Sequence, residues 1–134
     1  MKHTPRALIA EITHRCPLHC VYCSNPLEMQ RRADELSTGD WISVFQQAGE
    51  MGVLQLHLTG GEPLSRSDLT ELVRAGREAR LYLNLITSGV GLDERRLDEL
   101  IGAGLDHIQL SFQDNQEAPA IRRCSMARCC QSFH

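Results

Sequence analysis

The chain has 134 residues, of which 42% are hydrophobic and 23% charged, with a formal net charge of -3. Such a length and composition fit one small globular domain and exclude whole-chain disorder. No apolar run reaches the roughly 18 residues needed to span a bilayer. An aromatic content of 4% and an acidic balance argue against a nucleic-acid surface.

In chain order, Ala7 to Ile12 (ALIAEI) has the partly alternating pattern of a strand. A cysteine-rich segment follows, from Thr13 to about Leu36. Ser37 or Thr38 can cap a helix from about Gly39 to Met51, which Gly52 ends. Val53 to Leu58 is the second strand. It runs into Thr59-Gly-Gly-Glu-Pro63, which can continue neither a strand nor a helix. Ser67 or Asp68 opens a second helix to about Ala79. Tyr82 to Ile86 is a third strand, ending at Thr87-Ser88-Gly89. Asp93 opens a third helix to about Ala103, stopped by Gly104, and Asp106 to Ser111 is a fourth strand.

Strand and helix thus alternate with short connections, which predicts an α/β fold with a parallel sheet. In such sheets chemistry gathers at the C-terminal strand ends. The cysteines, the Gly-Gly-Glu-Pro turn, the Thr-Ser-Gly turn and Ser111 all follow or end strands, so four polar clusters are expected on one rim. Residues 118–134 contain three arginines and no acid. They carry no sustained period, and are read as an unstructured or non-native tail behind a domain of residues 1–117.

The only lysine is Lys2, which leaves no candidate for a Schiff base or a phosphate-binding P-loop. The N-terminus lacks the apolar core of a signal peptide, so a cytoplasmic setting with reduced thiols is expected. The six cysteines are then read first as ligands. Cys16-Pro-Leu-His-Cys20-Val-Tyr-Cys23 has the spacing C-x3-C-x2-C, and three thiolates so spaced can converge on one point. They could hold a [4Fe-4S] cluster with one iron left open. With His14 or His19 they could instead complete a zinc tetrahedron, or be unrelated buried thiols. Cys124, Cys129 and Cys130, with two of them adjacent, make a poor ligand set.

The cysteine spacing with Tyr22 at the aromatic position, followed by Gly60-Gly61-Glu62-Pro63 after the second strand, resembles the radical S-adenosylmethionine (SAM) enzymes. Within them, Thr13 to Leu18, Tyr22 to Leu27, Asn84 to Gly89 and Gly104 to Asp114 are similar to the coenzyme PQQ synthesis protein E family, over about residues 5 to 114. The resemblance implies four βα units of a partial (β/α)6, TIM-like barrel, truncated and ending in an irregular tail. It implies a [4Fe-4S] cluster on Cys16, Cys20 and Cys23. SAM would be bound near Tyr22, with Gly60, Gly61, Glu62 and Pro63 receiving its amino group. Ser88 and Ser111 are weaker candidates for ribose or carboxylate. Asn84 and Gln113 are weaker still, Glu11 is a candidate for the lumen, and His57 and His107 are read as packing residues.

The implied reaction belongs to pyrroloquinoline quinone (PQQ) biosynthesis. A 5'-deoxyadenosyl radical abstracts hydrogen from a glutamate of a precursor peptide, and a carbon–carbon bond to a tyrosine follows. The implied partners are that peptide, a small peptide chaperone (coenzyme PQQ synthesis protein D) and an external reductant, with no nucleic acid and no membrane. The alternatives are another peptide-modifying radical SAM enzyme and a non-catalytic metal-binding remnant. A chain of four units is expected to be inactive in the full reaction.

Overall fold

The structure, a computed structural model, describes residues 4–18 and 34–111. Among the described residues, four strands, β1 (Ala7–Thr13), β2 (Gln55–Gly60), β3 (Tyr82–Thr87) and β4 (His107–Leu110), alternate with three α-helices. The helices are α1 (Thr38–Glu50), α2 (Leu69–Glu78) and α3 (Glu94–Gly102). The strands form one parallel sheet in the order β1-β2-β3-β4, as alternation of strand and helix requires.

Local chemistry explains the boundaries. Ser37 is the cap of α1: its hydroxyl accepts from Asp40 N–H while Asp40 accepts from Ser37 N–H, a reciprocal box. That hydroxyl also lowers the Asp40 pKa. Asp93 accepts from Arg96 N–H and starts α3. Asp68 stands at the start of α2 but makes no side-chain cap bond; Arg66 and Thr38 take its carboxylate instead. Strand β2 begins two residues later than the apolar pattern suggests. Val53 N–H is used by Ala48 O, and Leu54 N–H and Gln55 N–H both go to Arg6 O.

The helix-side face of the sheet is apolar. Ala10, Ile12, Leu56, Leu58, Leu83 and Leu85 form one core with Phe45 of α1, Leu69, Leu72 and Val73 of α2 and Leu100 of α3. Each fully buried Leu contributes roughly 1.5–3 kcal/mol. Alternation turns the other residues to the opposite face. There Ile9, His57, Asn84 and His107 stand in one register row. Ile9 is 68% exposed, which marks this as a face without helix cover in the described residues. Among the described residues, sheet order leaves β1 and β4 at the two edges.

Candidate functional site

The C-terminal ends of β1, β2 and β3 are joined by a dense hydrogen-bond system. Between Glu11 and Thr13 the β1–β2 register slips, so that Thr13 stands opposite Gly60. Gly60 has a φ of +131°, and a Cβ there would lie 2.3 Å from Thr13 O. A Cβ on Gly61 would lie 2.4 Å from Arg15 O. Only glycine fits either position. The close approach is filled by the chain's own backbone: Gly61 N–H donates to Thr13 O and Glu62 N–H to Arg15 O, both at 2.7 Å. The turn after β2 therefore grips the residues immediately before Cys16.

Glu62 is 1% exposed, and its carboxylate accepts four hydrogen bonds. Oε1 takes Leu64 N–H at 3.0 Å and the Thr87 hydroxyl at 2.6 Å. Oε2 takes Ser88 N–H at 2.9 Å and the Ser88 hydroxyl. That fills about every acceptor direction of a carboxylate, and it ties the turn after β2 to the turn after β3. Pro63, buried, opens the short 3-10 turn Pro63–Ser65. Ser111, half-buried just past β4, donates its N–H to Thr87 O at 2.8 Å.

Of the other residues singled out in the sequence, Cys16 is half-buried on this rim, one residue beyond Arg15. Cys20, Tyr22, Cys23 and His19 lie outside the described residues, as do Gln113, the three C-terminal cysteines and the whole of residues 118–134. Glu11 is exposed and alternates with buried Ala10 and Ile12, which puts it on the helix-free face. His57 is half-buried, with Nδ1 3.0 Å from the Asn84 amide nitrogen. Asn84 is 5% exposed, and its Oδ1 has no partner among the described residues. His14 Nδ1 is likewise buried without one.

Sequence reasoning missed Glu35 and Arg66. Glu35 Oε1 accepts from His14 N–H at 2.8 Å and the Thr13 hydroxyl at 2.9 Å. Arg66 donates through Nη1 to Ile12 O at 2.6 Å and grips both oxygens of Asp68 through Nε and Nη2. The hydrogen bond from Arg66, with help from Thr38, holds the Asp68 carboxyl down at about 2. The same bond raises the Arg66 pKa. A polar cavity of about 460 Å³ opens beside them, lined in part by Arg15, Glu35 and Thr38. The only signal in the sequence is the charge of these residues next to predicted element ends.

Among the described residues, Cys16 and Glu62 have the chemistry the implied cofactors need: a thiol shortly after β1 and a buried carboxylate, after β2, of the charge that suits an ammonium. Two of that carboxylate's four donors are hydroxyls, which can rotate to other acceptors.

The model of the Radical SAM superfamily matches residues 10–128. The chain is 63% identical over 118 residues to a PqqA peptide cyclase of Gluconobacter oxydans (strain 621H), covering 88% of this chain and 33% of that protein. It thus spans about a third of that relative. Among solved structures, BtrN in complex with AdoMet and 2-DOIA superposes with a TM-score of 0.80 at 19% identity. That match covers 96% of this chain and 55% of the other, and shows likeness of fold. Streptococcus suis SuiB bound to S-adenosylmethionine gives a TM-score of 0.66 at 25% identity, over 78% of this chain and 24% of the other. None of the helices among the described residues is long and apolar enough to cross a membrane.

Proposed function

Because the chain belongs to the radical SAM superfamily, we propose that it carries the SAM- and cluster-binding part of a PQQ-biosynthesis oxidoreductase. The reaction is formation of a carbon–carbon bond between a glutamate and a tyrosine of a precursor peptide. The observation that carries the cofactor part is the join between the Gly60-Gly61-Glu62 turn and the backbone leading into Cys16. The likeness to a PqqA peptide cyclase supports the peptide substrate.

In this reading Cys16, Cys20 and Cys23 hold a [4Fe-4S] cluster. Tyr22, Gly60, Gly61, Glu62, Pro63, Ser88 and Ser111 surround SAM. When bound, the two supply the one-electron chemistry that begins hydrogen abstraction. The chain's own part is placement. The Gly60–Glu62 turn sets the height of Cys16 above the sheet, and Glu62 supplies a fixed negative charge for an ammonium. Leu64 N–H and Ser88 N–H keep that carboxylate aimed when a hydroxyl turns away. The chaperone would present the peptide, an external reductant would supply the electron, and a reducing cytoplasm would keep the thiolates available.

The test uses the anaerobically reconstituted chain. Iron and sulfide bound in the ratio of a [4Fe-4S] cluster, with 5'-deoxyadenosine formed from SAM and reductant, support the reading. Stoichiometric zinc with no iron uptake refutes it in favour of a metal-binding remnant. With precursor peptide and chaperone added, a chain of this length is expected to give no two-hydrogen mass loss on the peptide. Appearance of that loss would show that the remaining two thirds of the relatives' length is dispensable.

A further inference from the structure

The backbone that carries the three cysteines of the C-x3-C-x2-C spacing leaves the sheet at Ile12 and Thr13 and is described again from Asp34. Its two feet are tied by side chains from both directions. Glu35, at the returning foot, binds the Thr13 hydroxyl and His14 N–H of the departing one. Arg66, from the segment between β2 and α2, bridges the same feet by donating to Ile12 O at 2.6 Å and Leu36 O at 3.4 Å. The Arg66 side chain is 10% exposed and is itself held by Asp68, which the Thr38 hydroxyl also binds at 2.6 Å. Three separate stretches of chain therefore meet at one neck, only a few residues from Cys16.

We infer that Arg66 and Glu35 are positioning residues that clamp this neck and so preset the position of Cys16 just beyond it. The inference rests on the proposed cluster for its purpose, but the clamp belongs to the chain alone. Bringing two distant points of the chain together costs conformational entropy, which bonds at the point of closure offset. Charge-assisted bonds from a partly buried guanidinium are the strongest local bonds available for this. The backbone bonds from Gly61 and Glu62 fix Thr13 and Arg15 in height. They leave the returning foot untouched; among the described residues Glu35 and Arg66 tie it to the departing foot, and the Thr38–Asp68 bond braces it from the α2 side.

The test compares the wild-type chain with Arg66→Gln, Arg66→Lys and Glu35→Gln. In the metal-free chain, hydrogen exchange at residues 13–16 should rise about tenfold in Arg66→Gln and Glu35→Gln, with α3 and β3 unchanged. In the reconstituted chain, a chelator should remove iron about tenfold faster from the same two variants. Arg66→Lys should fall between, since an ammonium cannot span two carbonyls and a carboxylate as a guanidinium does. The reduced cluster should also show altered electron paramagnetic resonance g-values. Should Arg66→Gln fail to fold, Glu35→Gln, which keeps the volume and removes only a charge, carries the comparison. Unchanged neck exchange in the folded variants overturns the clamp, and faster exchange with unchanged iron release overturns its role toward the metal. If the wild-type chain takes up no iron, the cluster reading fails while the exchange arm still decides the clamp.

Discussion

Two carboxylates at the rim do similar work in different surroundings. Glu62 is almost wholly buried and is held by two backbone N–H groups and two hydroxyls, with no cation among those donors. Asp68 is partly exposed and is held by a guanidinium and a hydroxyl beside an open cavity. A buried acceptor with neutral donors fails when it is removed, because the donors are stranded without water. A partly exposed ion pair has water to fall back on, and its worth is reduced by screening. The Glu62 turn should thus behave as a structural joint, and the Asp68–Arg66 neck as an adjustable one.

The largest expected effect is at Glu62. Glu62→Leu strands at least the two backbone donors of Leu64 and Ser88, at roughly 1–3 kcal/mol each. Equilibrium unfolding in urea should show a loss of about 2–6 kcal/mol. Glu62→Gln should also destabilise the chain, since its amide NH2 must face donors. It therefore perturbs the joint as well as any SAM contact, whereas Ser88→Ala is the cleaner probe. Both backbone donors to Glu62 stay in place, so a fall in SAM affinity by calorimetry supports Ser88 as one of the residues around SAM, and an unchanged or higher affinity shows that its hydroxyl only competes for the Glu62 carboxylate.

Next comes Gly61→Ala, whose Cβ would sit 2.4 Å from a backbone oxygen that cannot swing aside. A cost of roughly 1–3 kcal/mol is expected, read as a lower melting temperature.

Asp68 gives a smaller effect that depends on pH. Its folded pKa of about 2 lies below the ordinary aspartate value of 3.8, so the stability it contributes is present above about pH 4 and is lost as pH falls through about 2. Asp68→Asn should flatten the acid limb of the stability profile in that window, lowering stability above about pH 4 and changing little below about pH 2. The smallest effect is at Ser37→Ala, which removes the α1 cap at a cost of about 1 kcal/mol. It should leave iron retention unaltered.

The elements and their order were legible because local chemistry and tertiary packing agree. The capping box at Ser37 and the cap at Asp93 are written in adjacent residues. Helix α2 shows where such reading stops. It ends at no glycine, and the turn is made by Arg80 at a φ of +62°, which no local signal announces. Asp68 looks like a cap and is instead an ion-pair partner, because Arg66 and Thr38 lie closer in the fold than local spacing reveals. The glycines of the Gly60-Gly61 turn were legible as a close approach, but what approaches is the β1 backbone. Glu35 and Arg66 were illegible because each acts on residues more than twenty positions away.

The measurement that bears most directly on the account is electron paramagnetic resonance of the reconstituted, reduced chain with and without SAM. A [4Fe-4S] signal is expected that Cys16→Ala abolishes and whose g-values move when SAM is added. A signal indifferent to SAM, or a chain that binds only zinc, would contradict it.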